Sequence, residues 1–246
     1  MIDQLLTSYP RPRPPLPDGQ AAIYEAEYKR NRQGGDVASG AAQKLEAWMH
    51  RAVARDSLEN RSDNPAVLEL GAGTLNHLPH EPGALPWDIV EPQRHLFEDS
   101  PHRGRLRDEF ADLVDVPGGR RYGRIVSIAV LEHIEDLPTM LARCGLLLEE
   151  GGVMQHGIPS EGGLLWGLAW RLSTGLSYRL RTGFSYKTLM RHEHVSGSED
   201  ILAVARHFFD DVRHRRFPLP LRHGSFYTYF LASAPRVERC RAWLKS

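Results

Sequence analysis

The sequence predicts an α/β fold: a doubly wound, mostly parallel, seven-stranded sheet closed at its C-terminal end by antiparallel pairing. Three observations predict it. Short, near-continuous apolar runs alternate with helical patterns between residues 66 and 158, as strands covered on both faces require. A glycine turn, Gly71-Ala72-Gly73, follows the first of these runs. The last two runs, 212–217 and 226–232, are joined by a short loop without a crossover helix, so they must pair antiparallel.

Residues 1–20 contain Tyr9-Pro10-Arg11-Pro12-Arg13-Pro14-Pro15-Leu16-Pro17, which cannot be helical and reads as an extended arm. A polar helix is expected over 21–32, with Tyr24 and Tyr28, ended by Gly34-Gly35. Ser39 is the expected cap of a helix over 41–54 with Leu45, Trp48 and Met49 on one face. Parallel strands follow at 66–70, 88–91, 106–111, 124–130 and 152–158, with helix candidates between them. The clearest of these helices, 137–149, is stopped by Gly151-Gly152. A helix over 199–209 leads into the antiparallel pair. Residues 160–196 fit neither pattern and follow the fifth strand, on the side where open α/β sheets bind ligands; they read as a lid inserted over the site. The expected organisation is one domain over 1–246, with the arm and helices of 1–60 ahead of the sheet.

Thirty-one Lys and Arg balance thirty-one Asp and Glu, so no global field favours nucleic acid or an anionic membrane, and any attraction for an anion must be local. The cysteines, Cys144 and Cys240, offer neither zinc spacing nor a disulfide framework, and no leader segment is recognised. A reducing cytoplasm is the expected compartment. No apolar run reaches the roughly 18 residues a bilayer span needs.

Glu69-Leu70-Gly71-Ala72-Gly73-Thr74 closes the first strand, and its glycines allow a tight turn and close approach of a ligand. A dinucleotide-binding G-x-G-x-x-G begins the same way, but here Asn76 stands at the third glycine. Glu91, 18 residues after Gly73 at the end of the second strand, can accept both hydroxyls of a ribose. Asp112, beyond the third strand, can accept an adenine amino group. The run Ile125-Val126-Ser127-Ile128-Ala129-Val130-Leu131-Glu132-His133 follows, and then Glu150-Gly151-Gly152. Ordered and spaced in this way across 66–158, the set resembles the class I S-adenosylmethionine-dependent methyltransferases, and the antiparallel ending agrees with their Rossmann-like fold. The resemblance implies that Glu69, Gly71 and Gly73 form the loop holding the methionine part of S-adenosylmethionine. It further implies that Glu91 binds its ribose and Asp112 its adenine, and that Ala129 lies beside the sulfonium. Leu75 departs from the pattern, since many members have a third glycine there.

Three histidines are candidates for the general base: His194 first, at the end of the insertion, then His133 and His192. His192-Glu193-His194 read as a strand would put both histidines on one face, but the spacing supplies no third ligand, so no metal is expected. Glu161, after the last parallel strand, is a candidate substrate contact or a solvated loop acid. The insertion carries Trp166, Trp170, Tyr178 and Tyr186 among Arg171, Arg179 and Arg181, with no acid from Arg171 to Arg191. These arginines and Tyr186 read as a pocket for an anionic acceptor, as a packed lid with solvated cations, or as an interfacial lid meeting a lipid-linked substrate. The leading expectation is O-methylation of a small polar or anionic molecule such as a carbohydrate conjugate. The rivals are a nicotinamide-dependent oxidoreductase and a non-catalytic cofactor-binding protein.

Overall fold

The computed structural model describes residues 2–24, 40–55, 62–81, 83, 85–161, 163–172 and 174–245. One seven-stranded sheet organises them, in the order β3-β2-β1-β4-β5-β7-β6. The strands are β1 (Val67–Leu70), β2 (Trp87–Val90), β3 (Leu106–Phe110), β4 (Tyr122–Ile128), β5 (Leu148–Pro159), β6 (Phe209–Pro218) and β7 (Ser225–Pro235). β1 to β5 are parallel, and β7 runs antiparallel to both β5 and β6.

Strand alternation explains the two cores. Leu68, Leu70 and Ile125 face one side, where they pack with α1 (Ile2–Leu6), α4 (Leu137–Leu147), α8 (Ser198–Phe208) and α9 (Val237–Trp243). Val67, Ile89 and Val126 face the other, against Ala52 and Val53 of α3 (Gly40–Arg55). α4 starts where Asp136 accepts the Thr139 amide at 3.2 Å and Pro138 occupies the first turn, where its missing N–H costs nothing.

The arm differs in part from expectation. Ile2–Leu6 form α1, whose Leu6 is buried in the core; the chain is extended through the prolines, and residues 18–24 are helical (α2). The rest of the helix expected over 21–32, together with Tyr28, Gly34-Gly35 and the Ser39 cap, lies outside the described residues. Between β1 and β4 the described residues of the connections hold single 3-10 turns, not helices. Pro79, Pro86, Pro92, Pro101 and Pro117 interrupt these short segments and leave no room for several uninterrupted helical turns.

The insertion folds as α5 (Leu164–Leu172), α6 (Thr174–Thr182) and α7 (Tyr186–Glu193). No helix among the described residues is long and apolar enough to cross a membrane.

Candidate functional site

Strand order reverses between β1 and β4, and the crevice beyond their carboxyl ends is where an open α/β sheet binds ligands. A cavity of about 890 Å³ lies there. Its walls come from the turn after β1 (Gly71, Gly73), the ends of β2 and β3 (Glu91, Asp112) and the end of β4 (Ala129, Val130). The sequence had put these residues together, and the fold brings them to one cavity.

The turn after β1 is built for close approach. Gly71 has φ +61° and Gly73 φ +52°, and a Cβ on Gly71 would lie 2.6 Å from a Val130 methyl. Glycine is therefore demanded twice at position 71, by its backbone and by its contact with the end of β4. Leu75 has φ +64°, the conformation a glycine adopts freely. Its side chain is fully buried, so apolar packing offsets a backbone cost of roughly 1–2 kcal/mol. Ala129, at φ +54°, is held by the hydrogen bond its amide donates to the Gly157 carbonyl at 2.8 Å.

Glu91 accepts the Gly73 amide at 2.9 Å through one carboxylate oxygen and the Gln93 amide at 3.0 Å through the other. Each oxygen keeps a lone pair for a further donor such as a hydroxyl. Asp112 caps the turn Leu113–Asp115 by accepting the Val114 amide at 3.0 Å. Glu69 lies apart from the cavity. Strand alternation turns it into the core beneath the cavity, where it accepts the Trp87 indole N–H at 3.0 Å and lines no part of the cavity. Burial pushes its carboxyl up to about 8, with Glu81 and Glu91 adding to the shift against the Trp87 bond.

A second group of side chains, His194, Glu161 and Glu132, adjoins the cavity through His133 without lining it. His133, in the turn Leu131–His133, lines the cavity, and His194 packs edge-on against it with ring centroids 4.7 Å apart. His194 Nδ1 is hydrogen-bonded to the Glu161 carboxylate. Burial lowers the His194 pKa, but the bond and charge of Glu161, with Glu132 and Glu193, overcome this and leave it raised. His133 moves the other way, down to about 4, first through burial and then through repulsion from His194. Its Nδ1 lies 2.8 Å from the Glu193 carbonyl oxygen. Glu132 is buried and pushed up to about 7 by desolvation; its Oε2 has no hydrogen-bond partner among the described residues.

The arm and the insertion hold this group in place. The amides of Val195 and Ser196 donate to the Glu132 carbonyl at 2.9 and 3.3 Å. Arg11 spans Asp200 at 2.7 Å and the Val195 carbonyl at 3.2 Å, while Tyr9 Oη and Ser196 Oγ lie 2.8 Å apart.

Other expected residues lie elsewhere. His192 ends α7, a helix rather than a strand, so it does not share a face with His194. Its Nδ1 lies 2.7 Å from the Pro14 carbonyl oxygen, and its ring meets Tyr24 edge-on. His156 is fully buried beside Ser127 Oγ at 2.6 Å, and desolvation takes it down to about 3, so it is a neutral core residue. Arg171, Arg179 and Arg181 are exposed on α5 and α6, and Tyr186 packs edge-on against Tyr178; none of the four lines the cavity. Within the insertion, Glu193 is the cavity-lining residue among those described. The cavity's cations are instead Arg13 and Arg143, which sequence reasoning missed. Helical spacing could have found Arg143, four residues after Thr139 and seven after Asp136, all three on the cavity wall.

No protein-family model matches the sequence, and no curated protein matches it. Solved structures do. A methyltransferase dependent on S-adenosylmethionine from Clostridium acetobutylicum has a TM-score of 0.53 at 13% identity, over 87% of this chain and 99% of that one. Human N-acetylserotonin methyltransferase, solved with S-adenosylmethionine, has 0.55 at 14% identity, over 95% and 65%. An O-methyltransferase family protein from Burkholderia thailandensis has 0.51 at 15% identity over 77% of this chain, which spans 56% of that protein's length. Such identities speak for architecture alone. With its strand order, its antiparallel β7 and these neighbours, the chain has the fold of the class I S-adenosylmethionine-dependent methyltransferases.

Proposed function

We propose that the chain binds S-adenosylmethionine in the β1/β4 cavity and methylates a hydroxyl of a small polar or anionic acceptor, with His194 as the base and Glu161 as its positioning partner. The observation that carries this reading is the His194–Glu161 pair, which lies behind the cavity wall with the His194 ring against His133, a residue that shares the cavity's lining with Gly71, Gly73, Glu91 and Asp112. The residues present fit the cofactor: the turn is closed to any Cβ at position 71, and Glu91 retains acceptor capacity. Glu91 would hold the ribose hydroxyls and Asp112 the adenine amino group. Glu91, Asp112, Asp136 and Glu193 give the walls the negative charge that suits a sulfonium.

The cofactor when bound supplies a methyl group on an excellent leaving group. The chain's own task is to align the acceptor oxygen and take its proton as the methyl arrives. His194 must be unprotonated to do so, and Glu161 both orients its ring and strengthens it as a base. Arg13 and Arg143 would meet a phosphate or carboxylate of the acceptor, as on a carbohydrate conjugate. Incubating the protein with isotopically methyl-labelled S-adenosylmethionine and metabolite extracts should yield a product heavier by one labelled methyl group. Absence of labelled product across extracts, with cofactor binding intact, would favour the non-catalytic alternative.

The sign of the Glu161 contribution sets a pH test. A raised His194 pKa places the ascending limb of kcat/KM above the ordinary histidine value. Glu161→Gln removes the charge that raises it and leaves the burial that lowers it, so the limb should move to lower pH as kcat falls. A limb that stays in place in the Gln variant contradicts the assignment.

One observation favours a second reading. Ligand atoms of Glu132, His133 and His194 lie within 4.8 Å of one another, so Glu132 supplies the third position that the sequence lacked. A divalent cation there would polarise the acceptor oxygen in place of a base. Turnover lost on EDTA dialysis and restored by a divalent metal would select it.

A further inference from the structure

We infer that α5, α6 and the tip of the β6–β7 hairpin form a docking surface for an anionic phospholipid bilayer. This inference does not rest on the methyl-transfer reading. Leu164, Leu168 and Leu172 recur at every fourth residue of α5, and Leu176 and Leu180 do the same on α6. All five are between 52% and 79% exposed. Single exposed leucines are ordinary, but two packed helices that each turn a leucine row to solvent make an unpartnered apolar surface. The inward positions are already occupied. Trp166 meets Tyr227 edge-on at 5.8 Å, and the buried Tyr178 hydroxyl accepts from the Gln20 amide at 3.3 Å.

The hairpin continues the surface. A Cβ on Gly163 would lie 2.5 Å from the Arg222 carbonyl oxygen, so glycine lets the start of α5 settle on the turn Arg222–Gly224. Leu164 therefore adjoins the loop that carries Leu219 and Leu221, both more than half exposed.

Charge selects the occupant. The chain is neutral overall, yet residues 162–192 hold Arg171, Arg179, Arg181, Lys187 and Arg191 with no acid. At the hairpin turn, exposed Arg222 adds a further cation. Apolar side chains framed by cations match an interface where acyl chains lie below anionic headgroups. A second copy of the chain would bring the same cations face to face, which opposes self-association. At nine residues each, α5 and α6 lie on a bilayer and do not cross it. The α7 helix then runs from this surface to Glu193 at the cavity, so docking would set the cavity's rim near the lipid headgroups.

Flotation of the full chain with vesicles tests the inference. The wild type should float with vesicles of phosphatidylglycerol and phosphatidylcholine in equal parts and bind roughly tenfold or more weakly to phosphatidylcholine alone. The variant Leu168→Ser/Leu172→Ser/Leu176→Ser/Leu180→Ser should lose binding to the anionic vesicles by about tenfold or more, with an unchanged Tm. Should that variant unfold, Arg179→Glu/Arg181→Glu supplies the second arm, with the same direction of loss expected on anionic vesicles. Wild type that stays in solution with both vesicles overturns the inference, as does a folded leucine variant that binds like wild type. A wild-type dimer that the leucine substitutions convert to monomer also overturns it and assigns the surface to a second copy.

Discussion

Arg124→Ala is expected to destabilise the protein by about 3–5 kcal/mol, the scale for leaving a buried charge without its partner. Arg124 is buried on β4, where its guanidinium donates two parallel bonds of 2.9 Å to Glu81 and a third of 2.9 Å to the Gln155 side chain. His77 lies 2.9 Å from the same Glu81 carboxylate, and His50 lies 3.1 Å from His77. Burial would raise the Glu81 pKa, but the bonds and charges of His77 and Arg124 bring it down to about 2. Its contribution to stability is thus present above the ordinary carboxylate value and lost as pH falls toward 2. Alanine at 124 removes the bidentate partner and leaves Glu81 buried beside a neutral or weakly charged histidine. Urea unfolding of the variant measures the loss. A change within about 0.5 kcal/mol would mean that the pair is not buried as described. The network also matters for the site, because His77 ends the segment that begins with Gly71. Looser anchoring there should weaken cofactor affinity without touching a cofactor contact.

His194→Ala should lower kcat by ~10²-fold or more, with S-adenosylmethionine affinity nearly unchanged. An alcohol is a poor nucleophile at neutral pH, and a base positioned by a carboxylate removes the proton that holds it back. His133 is the control. It lines the cavity but is pushed down to about 4, which makes it a weak base that is neutral at working pH. His133→Ala should therefore act chiefly through acceptor KM, by the loss of a wall of the site. The near-neutral limb of the pH–rate profile should vanish in His194→Ala and persist in His133→Ala. The reverse pattern would move the base to His133, and wild-type kcat in the His194 variant would remove it from the chemistry.

Most of the sheet was legible because buried parallel strands write themselves as apolar runs. β1, β2 and β3 fall within one or two residues of expectation, and β7 follows a proline- and glycine-bearing hairpin loop. β4, β5 and β6 begin earlier than expected, because Tyr122, Leu148 and Phe209 pair beyond the apolar runs that announced the strands. The lining of the β1/β4 cavity was legible for a related reason: Gly71, Gly73, Glu91, Asp112 and Ala129 all sit at strand ends, where order along the chain fixes place in space. Glu69 belongs to the same run, but strand alternation turns its side chain to Trp87 in the core, which order along the chain does not announce. The substrate side was less legible. A histidine two residues from another shares its face on a strand but not on a helix, and α7, at eight residues, is too short for periodicity to tell helix from strand. Contacts between Pro14 and His192, or Arg11 and Asp200, join positions far apart in sequence, so no local pattern announces them.

Calorimetric titration tests most directly whether the β1/β4 cavity is an S-adenosylmethionine site. The wild type should bind S-adenosylmethionine and show no comparable affinity for NADH. Glu91→Ala and Asp112→Ala should each weaken S-adenosylmethionine binding by about 1–3 kcal/mol, the range for a lost charge-assisted hydrogen bond. No binding by the wild type, tighter binding of NADH, or unchanged affinity in both variants would contradict that assignment.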